Sequence, residues 1–545
     1  MAETVNEVYD VIIIGAGPCG LGVAARLREE TPSAMFTDEE HQRYHWIKKH
    51  RGKMSLVRAQ RRKNKGVPTN LQICRPESCC VRGNSKYSTL VLDSSGSRWM
   101  ERWNRAFLAL EIDHLRSPMF FHFDPGDRDG LLAYTRETGR EKELFELSGC
   151  VGHELSKHKR KKMRNQSQFP HEAEINERDR KDYFTPGTRL FADYCASIIT
   201  RYGLDGVDQI RQSDVHDIKF AEIEGSKENT KLFTVSTCCG SLHSRAVVLA
   251  IGPGHTKMMP WELSPEEQRG ACHSSEIGMK FPSPLLAKKI EYREVTNVVV
   301  VGGGLTSAQI SHVAIRKGVT KVWHIMRSEL KIKHFDVGLN WVGKFKNYDK
   351  AVFWSADDDR ERFEMLQSAR NGGSITPRYY KLLKQHIAHG RLSIHTNTVI
   401  REKHFDPISQ TWRLSTDPPI PELPLCIDYI CFATGMQTDV TQMPLLQSMN
   451  RDYPIETMNG LPCLTDDLMW KASVPLFVTG RLASLRLGPA APNLEGARAG
   501  AERIAWALED VPGMTCTGAD RPREEEDLHK AFCGLGNRYS SLNEE

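Results

Sequence analysis

Apolar residues in this chain gather in short unbroken runs, and the runs stop at glycine. Val11 to Ile14 leads into Gly15, Gly17 and Gly20 in DVIIIGAGPCG, and Val298 to Val301 leads into Gly302, Gly303 and Gly304 in NVVVVGGGLTSAQ. β-Branched runs without polar alternation predict strands buried on both faces, as in a parallel sheet. The segments that follow, LGVAARLREE and SAQISHVAIRKG, carry the 3.6-residue period of a packed helix. The chain thus writes strand, glycine turn, helix twice.

Each turn has the chemistry of a dinucleotide site. Gly15 permits the sharp turn, Gly17 lets backbone approach a pyrophosphate, Pro18 opens the helix and Gly20 lets helix and strand pack closely. Helix N–H groups then face the phosphates. SAMFTDEE predicts the next strand, ending in Asp38 about 20 residues on, where a carboxylate accepts from ribose hydroxyls. In the second copy Gly302, Gly303 and Gly304 form the turn and Ser307 takes the third glycine's place. There the following strand, KVWHIMRS, ends in Arg327, a fork suited to a 2′-phosphate. An acid after the first loop and a base after the second place FAD at the front and NADPH in the middle.

Two more runs, AVVLAIGPG and DYICFATGM, end in turns at Gly252 and at Ala433, Thr434 and Gly435. Both flank the second device, so they read as crossings between domains. The fold class is therefore α/β: two Rossmann-like dinucleotide-binding domains, three-layered around parallel sheets, with the NADPH domain inserted in a split FAD domain. The boundaries fall at 8–285 for the first FAD part with its insertions, 286–420 for the NADPH domain, 421–510 for the second FAD part and 511–545 for a polar tail. The second FAD part holds VPLFVTGRL, with Gly480, and a helix beginning at Asn493 and Leu494. Residues 48–98 are basic, polar and weakly periodic, and carry no assigned role.

A chain of 545 residues needs more than one core, and 26% charged with 39% hydrophobic residues is ordinary for a globular protein. Net charge +5 does not call for a nucleic-acid partner; Arg58 to Lys65 and Lys157 to Arg164 read as solvated loops. No apolar stretch is long enough for a membrane span or a signal peptide, so the expected address is cytoplasmic. Of 14 cysteines, Cys74 with Cys79 and Cys426 with Cys431 share a redox-type gap, but one pair is in a polar stretch and the other in a strand. His153 and His158 miss helical zinc spacing, and no metal is expected.

Taken together, these motifs resemble the single-chain flavin monooxygenases of class B type. The nearest branch is the L-ornithine and L-lysine N-monooxygenases, through Asp428, Phe432, Ala433, Thr434 and Gly435, with Met436 where tyrosine is usual, through HSSEI at His273 to Ile277, and through DPGDRDGLLAY. The chain also resembles the oxidative-stress-induced growth inhibitor proteins, in a form like that of filamentous fungi. The resemblance implies hydride transfer from NADPH to FAD, capture of O2 as a flavin C4a-hydroperoxide, and transfer of one oxygen atom to a small molecule, such as an ornithine-like amine. It requires no catalytic acid or base. Arg116, as an anchor for an anionic group, and Asn493, ahead of the helix under the flavin, are the substrate-side candidates. A reductase or oxidase serving a quinone, a partner protein or O2, and a nucleotide-bound regulatory protein, remain alternatives. A homo-oligomer is compatible with the sequence.

Overall fold

The computed structural model describes residues 8–30, 32–35, 86–147, 150, 180, 182–206, 209–222, 231–252, 254, 256–342 and 346–514. Asp38, Cys74, Cys79, His153, His158 and both basic runs lie outside these residues. In chain order, β1 (Val8–Ile14) leads into α1 (Pro18–Arg26), then come β2 (Thr89–Asp93), α2 (Thr188–Arg201), β3 (Ile210–Gln212), β4 (Val215–Glu222), β5 (Lys231–Thr237) and β6 (Gly240–Leu249). The second device follows as β7 (Ala271–His273), β8 (Asn297–Val301), α3 (Leu305–Arg316), β9 (Lys321–Ile325), α4 (Pro377–Ala388), β10 (Leu392–His395) and β11 (Tyr429–Phe432). The chain returns through β12 (Met469–Lys471), β13 (Val474–Val478) and α5 (Leu494–Ala507).

The first sheet runs β12-β13-β6-β1-β2-β3, with β5 joining β6 to β4. Its β13, β6, β1, β2 and β3 are mutually parallel. The second sheet runs β10-β9-β8-β11-β7 and is parallel throughout. Parallel strands are covered on both faces, which is why their sequences are unbroken apolar runs. In β1, Val11, Ile12 and Ile13 are wholly buried, and in β8 so are Val298, Val299 and Val300. Val298 and Val300 face Ala308, Ile310 and Leu383 on α3 and α4, while Val299 faces Phe405 and Trp412. The latter two lie on a hairpin of Val399–Asp406 with Thr411–Asp417, so helices cover one face of the second sheet and an antiparallel ribbon the other.

Three expectations change. β1 pairs with TLVLD, in register from Val11 with Thr89 to Ile14 with Leu92, and with β6 on its other side, while Ala34 and Met35 lie in a turn and the rest of SAMFTDEE is outside the described residues. The second sheet extends past 286–420, because β7 and β11 supply its edge and an inner strand; β11 pairs with β8, and β7 with β11. Nor is the chain from 511 wholly a tail, since Val511 and Met514 pack in the first core.

Another feature is invisible in the pattern. Between β9 and β10 the chain leaves its own domain, and Phe335, Val337, Trp341, Val342, Phe353, Leu366 and Ala369 join the first core. This helical excursion fastens the two nucleotide domains together. Among the described residues no helix is long and apolar enough to cross a membrane.

Candidate dinucleotide sites

The first glycine loop is shaped by three steric facts. Gly15 has φ +112°, and a Cβ there would lie 2.4 Å from the Ala250 carbonyl oxygen. At Gly20 a Cβ would lie 1.9 Å from the Gly15 carbonyl oxygen, so α1 meets the turn without room for a methyl group. At Gly17, by contrast, a Cβ would meet nothing within 4 Å. Gly17 is also the N-cap of α1 and supplies no side-chain acceptor, with Pro18 in the first turn. Open space against side-chain-free backbone, at a helix end whose N–H groups lack a side-chain cap, is what a pyrophosphate needs.

Among the described residues the acid that reaches this loop is Asp93, the last residue of β2. Its carboxylate accepts the Ala16 N–H at 2.7 Å and the Ser95 N–H at 2.6 Å, while the Gly15 N–H reaches the Leu92 carbonyl at 2.7 Å. Strand pairing delivers Asp93 to the mouth of the loop. Its signal was the run TLVLD followed by SSG, masked by the polar sequence before it.

The second loop repeats the plan. Gly302 has φ +147°, and its Cβ would lie 2.4 Å from the Ala433 carbonyl oxygen; Gly303 and Gly304 face open space. Ser307 is buried, and its hydroxyl donates to the Gly304 carbonyl at 2.7 Å. Arg327 lies exposed beyond the end of β9 and makes no hydrogen bond or ion pair among the described residues. Two residues that the sequence reading passed over complete the loop. His324, wholly buried in β9, places Nε2 2.8 Å from the Gly302 carbonyl oxygen; burial pulls its pKa down to about 4, with the carbonyl contact opposing. Gly373 packs against the loop so closely that its Cβ would be 3.1 Å from Gly304. A histidine within an apolar strand and the pair Gly372–Gly373 were the available signals.

The crossings lie side by side. Gly252 and Gly435 have φ +72° and +88°, the Met258 N–H donates to Gly435 and the Gln437 N–H to Thr256. Thr434 donates its hydroxyl to the Met258 carbonyl, and His273, from HSSEI, has Nε2 3.0 Å from the Gly435 carbonyl oxygen. Asp428 anchors the second sheet, accepting from Lys289 Nζ at 2.6 Å and the Asn297 N–H at 2.7 Å. Cys426 is exposed and Cys431 buried, and both are free thiols.

Arg116 corrects an expectation. Its guanidinium donates to the carbonyls of Lys333, His334 and Phe335 and to the Ser374 hydroxyl. Burial lowers its pKa to about 10; Asp336 opposes this and Arg370 adds to it. The residue is a clamp between the first domain and the second loop's surroundings, and its donors are largely committed. Asn493, in contrast, is the N-cap of α5, and both its amide atoms are buried without a partner. Thr479 Oγ1, which lies against Gly500 of α5, is equally unpartnered, beside Gly480 at φ +73°. Leu494 is buried and offers only its backbone. In the first turn of α5, burial raises the Glu495 carboxyl, but Lys350 and Lys346 outweigh it and hold the pKa at about 2.

These residues fit two dinucleotides. Orphaned polar atoms at Asn493 and Thr479 and the vacant approaches at Gly17, Gly303 and Gly304 are features a polar ligand would satisfy.

No protein-family model matches the chain, and no curated protein matches it in sequence. Solved structures do match in shape. An ornithine hydroxylase from Pseudomonas aeruginosa superposes with TM-score 0.57 at 15% identity, over 92% of this chain and 99% of its own. An ornithine N-hydroxylase from Kutzneria sp. 744, solved with reduced FAD, NADP+ and L-ornithine, gives the same figures, TM-score 0.57, 15%, 92% and 99%. A cadaverine monooxygenase from Erwinia amylovora bound to FAD gives 0.56 at 15% identity, over 95% and 100%. The chain therefore has the α/β two-domain fold in which these flavin enzymes are built.

Proposed function

We propose that this chain is an NADPH-driven, FAD-dependent monooxygenase that places one oxygen atom on the nitrogen of a small amine. The observation that carries the reading is a reversal of charge beside the two loops: Asp93 is the last residue of the strand next to the first, and Arg327, with no ion pair among the described residues, lies just past the end of the strand next to the second. A carboxylate suits the bare ribose of FAD, and a guanidinium suits the phosphorylated ribose of NADPH. The shared fold with amine hydroxylases supports the choice among flavin reactions.

FAD would lie on Gly15, Gly17, Pro18 and Gly20, with Asp93 toward its ribose and Asn493, Leu494 and Gly480 along its far side. NADPH would lie on Gly302, Gly303, Gly304 and Ser307. When bound, the two cofactors supply hydride transfer and oxygen activation. The chain's own part is to orient and to exclude water. Arg116 and the Phe335–Ala369 excursion hold the domains in one arrangement, and the buried Asn493 amide offers a donor and an acceptor at the N-terminus of α5. The reaction's other inputs are O2 and the small amine.

The test is stoichiometric. Purified protein reconstituted with FAD is given NADPH in air with L-ornithine, L-lysine, cadaverine and aromatic amines in turn, and NADPH loss, hydrogen peroxide and hydroxylamine product are measured. A hydroxylamine yield approaching NADPH loss with one amine supports the proposal. Peroxide matching all NADPH with every amine replaces it with an oxidase.

A further inference from the structure

The two-residue turn between β5 and β6 is Cys238–Cys239. Both thiols are exposed, and their Sγ atoms are 3.6 Å apart. The turn is held from outside the pair: the Thr237 hydroxyl donates to the Gly240 carbonyl at 2.9 Å and accepts the Cys239 N–H at 3.2 Å. Gly240, at φ +126°, takes up the left-handed backbone, leaving both cysteines at negative φ. Exposed cysteines gain nothing from burial, so hydrophobic packing does not account for them.

Their surroundings make them unequal. The Ser213 hydroxyl lies 3.6 Å from Cys238 Sγ, and with the Asp214 N–H and the Cys239 thiol it lowers the Cys238 pKa; Cys239 is raised by its neighbour. One thiol is therefore the readier nucleophile and the other stays protonated beside it, the arrangement of an attacking and a resolving cysteine. Ser213 also donates its N–H to the Asp93 carbonyl at 3.1 Å, so the pair sits close behind the first glycine loop.

We propose that Cys238 and Cys239 are a hydroperoxide-reactive dithiol that closes reversibly to a vicinal disulfide. The Cys238 thiolate attacks one oxygen of hydrogen peroxide, the O–O bond breaks, and hydroxide leaves and becomes water on taking a proton. Cys238 is then a sulfenic acid. The Cys239 sulfur attacks it, the S–S bond forms, and the sulfenic oxygen departs as a second water with the Cys239 proton. Two thiols and one peroxide give one disulfide and two waters. Adjacent Cα atoms are only about 3.8 Å apart, short of the roughly 4.4 to 6.8 Å usual for disulfides, so the ring is strained and easily reduced. This reading is independent of which reaction the chain catalyses.

The test uses the reduced full-length protein, treated with hydrogen peroxide, alkylated and digested with trypsin. The peptide 232–245 should become two hydrogens lighter, escape alkylation about tenfold faster than the peptide of buried Cys195, and recover with dithiothreitol. In Cys239→Ser, dimedone should trap Cys238; in Cys238→Ser, residue 239 should stay alkylatable. Thermal unfolding confirms that both exposed-site variants fold. The proposal is overturned if 232–245 is oxidised no faster than the Cys195 peptide, if dimedone finds no Cys238 adduct, or if the disulfide joins two chains.

Discussion

The two glycine loops share a turn but are held by groups of opposite hydrogen-bonding character. In the first, a side-chain acceptor, Asp93, grips the Ala16 N–H. In the second, the His324 ring grips the Gly302 carbonyl. The first loop also packs its helix so closely that a methyl group at Gly20 would collide with Gly15, whereas the second accommodates Ser307 and uses its hydroxyl. Holding the second turn from inside the strand leaves the strand end free, and there Arg327 stands unpaired among the described residues. The same backbone device is thereby set beside a carboxylate in one domain and a guanidinium in the other.

The largest effect should come from crowding each turn. Gly15→Val sets a β-branched residue at φ +112° with Cβ 2.4 Å from Ala250, and Gly302→Val sets one at φ +147° with Cβ 2.4 Å from Ala433. Backbone strain of about 1–3 kcal/mol adds to each clash. Gly15→Val should emerge colourless, without bound FAD, while Gly302→Val should keep its yellow colour and lose NADPH binding by titration. If either variant loses both ligands while remaining folded by circular dichroism, the loops do not serve separate cofactors.

Next come the strand ends. Arg327→Ala should weaken NADPH about tenfold and leave NADH unchanged, since a charge-assisted fork to phosphate is lost. Asp93→Ala should weaken FAD by a similar factor, about tenfold, without altering the preference between NADPH and NADH. Equal losses of NADPH and NADH in Arg327→Ala would erase the distinction between the loops.

How legible this was depended on how locally the information is written. Both turns could be read because glycine at Gly15, Gly20 and Gly302 answers to contacts with backbone, and strand and helix follow at once in sequence. The partner strand of β1 is hard to read because its signal is only five residues, TLVLD, reached after a long stretch with no period, and the sequence pattern offers Asp38 as the acid without pointing to Asp93. The domain edges slipped for a related reason: β7 is three residues long, and only its pairing with β11 marks it as part of the second sheet. Arg116 illustrates a deeper limit. An arginine in a polar segment has the same sequence signature whether it awaits an anion or spans to the carbonyls of Lys333, His334 and Phe335, more than two hundred residues away. Nor could periodicity show that the Phe335–Ala369 excursion packs with a domain it interrupts.

A smaller effect separates the loops by pH. His324 is neutral in the folded chain, with its pKa at about 4 against 6.5 ordinarily. Between those values the unfolded chain binds the proton that the folded one refuses, so stability is full above about pH 6.5 and falls as pH drops toward 4, by at most about 1.4 kcal/mol per pH unit. His324→Gln keeps a donor for Gly302 and removes the titration. Its melting temperature should fall less steeply from pH 7 to pH 4.5 than the parent's. Some slope will remain, because burial and Arg498 hold His122 in the first domain at about 3 against the pull of Asp124. An unchanged slope would mean that His324 is not the proton-sensitive support of the second loop.

The smallest expected effect concerns the serine that replaces a glycine. Ser307→Ala removes the hydroxyl bonded to the Gly304 carbonyl at 2.7 Å. Because Gly304 also receives the Ala308 N–H, at 3.4 Å, the carbonyl keeps a partner. The cost should be about 1 kcal/mol, seen as a melting point lower by about one degree in a chain of this length, with NADPH affinity changed by less than about twofold. Ser307→Gly, which writes the first loop's spacing into the second, should cost about twice as much, since it adds helix flexibility worth about 1 kcal/mol. A gain in stability on that change would show that the second helix, like α1, is drawn in by glycine, and that the serine is tolerated there rather than used.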